Sequence, residues 1–143
     1  MSGAVLVVDD EDIVRDSVRQ WLELGGFAVR TAGGAEEAMR LVKESPPDVV
    51  LSDFRIPQIS GLELMREIHR ADPVFPVVLL TAHGDVPLAV AAMREGAYDF
   101  LQKPHDPEQL SLVIARAVER RRLKLQLGEL AGKLELVADD LCR

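Results

Sequence analysis

Five short apolar runs alternate with five stretches of helical spacing along this chain, and turn residues stand at each boundary. Val5 to Val8 is continuously apolar and ends at Asp9 and Asp10. Ile13, Val14, Val18, Trp21 and Leu22 then recur at helical spacing until Gly25 and Gly26, a stripe that predicts a first helix with Trp21 in the core. Phe27, Val29 and Thr31 alternate with Ala28 and Arg30 as a half-buried strand does. Ala35, Ala38, Met39 and Val42 follow as a second helix, closed by Ser45, Pro46 and Pro47.

Val49 to Leu51 predict a third strand ending at Asp53, and Pro57 to Gly61 a loop. Leu62, Leu64, Met65 and Ile68 give a third helix with His69 at its surface or boundary. Val77 to Leu80 make a fourth strand that ends at Thr81, and Val86 to Met93 a fourth helix that ends at Gly96. Phe100 and Leu101 are the core of a fifth strand, which runs out at Lys103 and Pro104. Strands alternating with helices predict right-handed βαβ units around a parallel sheet, an α/β fold. Strands one, three and four are apolar throughout, as strands buried on both faces are, whereas two and five are mixed and belong at the edges. The doubly wound order 2-1-3-4-5 satisfies this and puts its switch point between strands one and three.

That order carries a chemical consequence. Ligands of such sheets bind outside the carboxyl ends of the strands at the switch point, where Asp9 and Asp10 face Asp53. Each aspartate taken alone is also what a helix cap or a strand-end turn uses. Three converging carboxylates, with the Thr81 hydroxyl and the Lys103 ammonium at the next strand ends, argue instead for a site. Repulsion among them is relieved by an oxygen-seeking divalent cation, and magnesium (Mg2+) suits one or two carboxylates plus phosphate oxygens. A carboxylate nucleophile, a metal, a hydroxyl and a cation are the parts that phosphoryl transfer needs.

The residues Val7-Val8-Asp9-Asp10-Glu11, Ser52-Asp53-Phe54-Arg55-Ile56-Pro57 with Gly61, Thr81-Ala82-His83-Gly84-Asp85 and Gly96-Ala97-Tyr98-Asp99-Phe100-Leu101-Gln102-Lys103-Pro104 resemble the receiver domain of two-component response regulators. The resemblance covers roughly residues 4 to 120. It implies a flavodoxin-like (βα)5 fold in which Asp53 accepts a phosphoryl group from a sensor histidine kinase. Asp10, Asp53 and the backbone carbonyl of Arg55 would hold the magnesium, with Asp9 reaching it through water. Thr81 and Lys103 would meet the phosphoryl oxygens, Phe100 would stand at the aromatic switch position, and the Lys103–Pro104 bond would be cis. The protein would then be no enzyme acting on a separate substrate, only a phosphoryl acceptor with self-directed transfer and autodephosphorylation.

The third and fourth motifs look most like receivers of sigma-54-dependent activators of the nitrogen-regulation and dicarboxylate-transport type, although that subfamily usually has Phe at the position of His105. In those regulators an AAA+ ATPase and a DNA-binding domain follow the receiver, and neither is found in these 143 residues. Arg55 and His83 lie two residues beyond Asp53 and Thr81, where side chains can tune water access or simply stand in solvent. Two other readings remain. A magnesium-dependent aspartyl phosphohydrolase of the haloacid-dehalogenase type also uses a strand-end Asp, but it normally has a second Asp two residues on, where Arg55 stands here. The other is a dimerisation module indifferent to phosphorylation.

From Pro107 nothing stops helix formation to the chain end, a length of about 55 Å at 1.5 Å per residue, so the helix must leave the body. Leu123, Leu127, Leu130, Leu134, Val137 and Leu141 follow a heptad seam. The expected division is therefore a receiver body over 1–120 and a helical, homodimerising coiled-coil segment over 121–143. Gly128 and Gly132 weaken that helix by about 1 kcal/mol each, which keeps open a tail packed back on its own body or a frayed linker. Arg120, Arg121 and Arg122 read as a solvated hinge.

Charge sharpens the division. The net charge of −7 lies wholly in residues 1–105, and the tail is neutral. An acidic body does not grip nucleic acid directly, since that takes clustered Lys and Arg. No run approaches the roughly 20 apolar residues of a membrane span, no leader pattern precedes the first strand, and the single Cys142 makes no internal disulfide. A cytoplasmic setting is the expectation.

Overall fold

The computed structural model describes residues 3–82, 85–103 and 106–141, with side chains as far as residue 134. Five strands, β1 (Ala4–Val8), β2 (Ala28–Ala32), β3 (Val49–Asp53), β4 (Val77–Thr81) and β5 (Asp99–Gln102), form one parallel sheet in the order β2-β1-β3-β4-β5. The helices α1 (Asp12–Leu24), α2 (Ala35–Glu44), α3 (Gly61–Ala71), α4 (Val86–Glu95) and α5 (Pro107–Leu141) connect and cover the strands. The predicted architecture and both edge strands are as expected.

The period of two along each strand divides the core between the two faces. Leu6, Val8, Val50, Val77 and Leu79 pack with Ala35 and Ala38 of α2, Leu64, Met65 and Ile68 of α3, and Ala89 and Ala92 of α4. Val5, Val7, Val49, Leu51, Val78 and Leu80 pack with Val18 and Leu22 of α1 and with Leu110, Val113, Ile114, Ala117 and Val118 of α5. Each buried Val, Leu, Ile or Met among them gains about 1.5–3 kcal/mol from leaving water, the alanines less. The parallel register fixes the strand ends, with Val8 beside Ser52, Asp53 beside Leu80 and Thr81 beside Gln102.

Two expectations are corrected. Trp21 is 37% exposed and Ile13 82%, so neither belongs to the α1 core. The inward stripe is the narrower set of partly buried Val14 and buried Val18 and Leu22 at successive intervals of four, which leaves both bulky residues on its flanks. The three arginines at the exit of α5 are not a solvated hinge either. Arg120 lies 4.4 Å from the Tyr98 ring centroid, Arg121 lies 4.4 Å from that of Phe75 and pairs with Asp72, and Arg122 pairs with Asp48 at 3.2 Å. Asp48 and Asp72 precede β3 and β4, so α5 leaves across the amino ends of the strands and meets acids there. His69 is half-buried, as read, with Nε2 2.8 Å from the Phe75 carbonyl oxygen.

Beyond this clamp α5 runs on with Leu123, Leu127, Leu130 and Leu134 between 50% and 64% exposed, so it does not pack back on the body. The side chains of Val137 and Leu141 lie outside the described residues, as do His83, His105, Cys142 and the Lys103–Pro104 bond.

Candidate phosphoryl-acceptor site

The carboxyl ends of β1, β3, β4 and β5 open on one side of the molecule, and the predicted groups gather there. Asp9, Asp10 and Asp53 each offer a carboxylate oxygen, all within 4.8 Å of one another. Asp9 is 1% exposed and Asp53 9%, while Asp10 is exposed. Lys103 closes the site from β5. Its Nζ donates to Asp53 Oδ2 at 2.8 Å and lies 3.6 Å from Asp9 Oδ2. The second distance is an ion pair too long for a hydrogen bond, and Asp9 Oδ2 is indeed buried without a hydrogen-bond partner.

These surroundings set the charges. Burial pushes the Asp9 carboxyl above its ordinary value; the Glu11 N–H and Lys103 pull it down without cancelling the rise, and Asp53 and Asp10 add to it. For Lys103 burial works downward, yet the hydrogen bond and charge of Asp53, with the charge of Asp9, outweigh it and hold the ammonium above its ordinary value. Asp9 Oδ1 accepts the Glu11 N–H at 2.9 Å, which orients Asp9 while turning the chain into α1.

An oxygen-only donor set with one buried oxygen left unbonded fits a hard divalent cation such as magnesium. Thr81 is fully buried, and its hydroxyl donates to the Leu101 carbonyl only at 3.4 Å, a long bond that a better acceptor can displace. Phe100 is partly buried against the core beneath α2, α3 and α4.

The loop after Asp53 is tightly specified. The Gly61 N–H donates to the Phe54 carbonyl at 2.8 Å, and Ser60 Oγ caps α3 by accepting the Glu63 N–H at 3.2 Å. A Cβ on Gly61 would stand 2.4 Å from the Asp53 carbonyl oxygen, so no side chain fits. Gln58 takes φ 75°, rare for a non-glycine, and its Oε1 accepts the Glu36 N–H at 3.3 Å, tying the loop to α2. Gly61→Ala is expected to force the Asp53 backbone aside and cost about 1–3 kcal/mol. A thermal melt matching wild type would refute that.

Arg55 departs from the solvated reading. Its side chain is 75% exposed, yet it holds Asp85 through two hydrogen bonds, at 2.8 and 3.2 Å. This pair is not legible in sequence, although Asp85 before Val86-Pro87 does signal a helix start.

A family model described as the response regulator receiver domain matches residues 5–115. The chain belongs to the response regulator receiver domain family. Receivers of this kind serve two-component, phosphorylation-based signalling. This receiver is 48% identical over 122 residues to the C4-dicarboxylate transport transcriptional regulatory protein DctD of Pseudomonas aeruginosa, a match covering 85% of this chain and 26% of that protein. It is 39% identical over 143 residues to DctD of Rhizobium meliloti, covering 99% of this chain and 31% of that protein. The receiver thus spans less than a third of the length of these curated relatives. The crystal structure of a response regulator receiver domain protein from Clostridium thermocellum matches with a TM-score of 0.81 at 37% identity, covering 86% of this chain and 98% of that one. Among the described residues no helix is long and apolar enough to cross a membrane.

Proposed function

We propose that Asp53 is the phosphoryl acceptor for a sensor histidine kinase, and that its phosphorylation changes how a homodimer formed by α5 is arranged. The observation that carries this reading is the cluster of Asp9, Asp10 and Asp53 with the Lys103 ammonium bonded to Asp53. A carboxylate is ionised at neutral pH and needs no base. An Asp53 oxygen attacks phosphorus in line, a new O–P bond forms, the bond to the donor breaks, and its electron pair leaves with the donor, an imidazole in a phosphohistidine. Lys103 holds the acceptor in place and has further N–H donors for the phosphoryl oxygens, while Thr81 exchanges its long bond to Leu101 for one of them. Phe100 then moves with Thr81.

Asp10, Asp53 and the Arg55 carbonyl would hold magnesium, with Asp9 behind them, and the ion would neutralise charge on the transferring group. No separate substrate is turned over; autodephosphorylation belongs to the same acceptor. The body extends to about residue 120, and 121–143 is the dimerising segment. In the full-length regulator the partners are an AAA+ ATPase and a DNA-binding domain in the cytoplasm, so transcription is controlled without nucleic-acid contact by this region.

Magnesium is the test. At about 100 times its Kd it should add about 2.7 kcal/mol of stability, and phosphoryl uptake from an acyl phosphate donor should vanish in EDTA. A melting curve indifferent to magnesium, with uptake unchanged in EDTA, would remove the metal assignment.

A further inference from the structure

Outside the metal cluster, one ion pair ties the acceptor loop to a different element. Arg55 donates through Nε to Asp85 Oδ2 and through Nη2 to Asp85 Oδ1, while its backbone N–H donates to Asp53 Oδ1 at 3.3 Å. A single residue therefore touches the acceptor with its main chain and the start of α4 with its side chain. The partners are unequal, the Arg55 side chain being 75% exposed and that of Asp85 8%. The arginine has room to swing; the aspartate is enclosed.

Asp85 is also the N-cap residue of α4, yet its carboxylate makes no capping bond. Aspartate is favoured at that position because its oxygen accepts a free N–H of the first turn and its charge meets the positive end of the helix dipole. Here Asp85 sits at φ −92°, ψ 5°, whereas capping takes an extended residue. The two uses of the carboxylate thus belong to two conformations. The helix it would cap is lightly anchored. Its buried residues are Ala89 and Ala92, and Leu88, Val90 and Met93 are 48%, 42% and 37% exposed. A helix seated on alanines loses little packing when it shifts.

We propose that Arg55 and Asp85 form a latch: a phosphoryl group on Asp53 draws the Arg55 guanidinium away from Asp85, and the released carboxylate caps and re-seats α4. The inference rests on Asp53 being the acceptor. Phosphorylation adds a charge of about −1.5 to −2 and three strong acceptor oxygens beside a guanidinium whose fork suits phosphate as well as carboxylate. No covalent bond changes in the latch itself; hydrogen-bond partners are exchanged. Asp85 left unpaired in its enclosed position would be unfavourable, and the α4 N-terminus gives it a new partner. A change of charge at Asp53 so becomes a change of shape at α4.

The test uses Asp85→Asn and Arg55→Met, with beryllofluoride and magnesium as the phosphoryl mimic and NMR of the α4 amides and the Arg55 Nε–H as readout. In wild type the Arg55 side chain and α4 should respond together. In Asp85→Asn, which keeps a good capping residue but loses the ion pair, the α4 amides should lie part-way along the wild-type path before any mimic is added. Beryllofluoride should bind it about three- to tenfold more tightly, since the competent state is already populated. Arg55→Met should move α4 along the same path yet bind the mimic more weakly, because the guanidinium is gone. A pair with only a structural role would not give opposite affinity changes with a common α4 shift.

The latch is overturned if both variants keep the free wild-type α4 spectrum. It is equally overturned if the Arg55 Nε–H stays still while amides around Asp53 shift; either result leaves the acceptor assignment standing. A wild-type protein that responds nowhere to the mimic overturns the acceptor assignment and the latch with it.

Discussion

Asp53→Asn protein takes up no phosphate from an acyl phosphate donor, while its fold and melting temperature stay close to those of wild type. The amide oxygen is a poor nucleophile, and the position is hard to replace. Asp9 is buried with its oxygen 3.6 Å from the Lys103 ammonium, Asp10 is exposed, and Asp53 accepts from that ammonium at 2.8 Å. Loss of uptake should therefore be complete, as read by intact mass or phosphate-affinity electrophoresis.

The fold survives for reasons visible in the same contacts. Asparagine keeps the oxygen that accepts the Arg55 N–H, and Lys103 retains Asp9 at 3.6 Å as an ionic partner. Removing one of three converging carboxylates also relieves repulsion, so the net change should stay within about 1 kcal/mol, the range of most tolerated substitutions. Unchanged phosphate incorporation in Asp53→Asn would end the acceptor assignment. Incorporation lost together with the folded state would point to a structural role for Asp53.

The sheet order was legible because it rests on one-dimensional patterns. Apolar runs such as Val77 to Leu80 announce strands buried on both faces, and the mixed Ala28–Ala32 and Asp99–Gln102 announce edges. Once the order is known, Asp9, Asp10, Asp53, Thr81 and Lys103 come together because strand ends in a parallel sheet share one side. Chain topology does that work, and topology follows from periodicity.

Side-chain pairings across loops obey no such period. Arg55 and Asp85 stand 30 residues apart on different connections, and nothing in either segment marks the other as its partner. The arginines at 120 to 122 looked solvated because the acids Glu119 and Glu129 stand near them along the chain. Their partners, Asp48, Asp72, Phe75 and Tyr98, come from the amino ends of the strands. Trp21 misled in the opposite sense. Helical spacing gives the direction of a stripe but not its width, and α1 needs only Val14, Val18 and Leu22 to cover its part of the sheet.

Leu127→Asp with Leu134→Asp should turn the proposed dimer into a monomer, the dissociation constant rising at least 100-fold, roughly 3 kcal/mol. The arginine clamp holds α5 to the body up to Arg122, and from Leu123 onward the leucines at 123, 127, 130 and 134 are half or more exposed on one seam. An isolated helix of this kind gains little in water, and pairing seam to seam is what removes those side chains from it. Two aspartates per chain at seam positions would be buried without partners. Gly128 and Gly132 fall on the outer face of the same heptads, and a Cβ on either would meet nothing within 4 Å. Ala at both positions should therefore stabilise the helix by about 1 kcal/mol per site and tighten the dimer without touching its seam. Sedimentation equilibrium separates the cases: a wild-type protein that sediments as a monomer, or a dimer indifferent to both aspartates, would show that α5 does not pair through this seam.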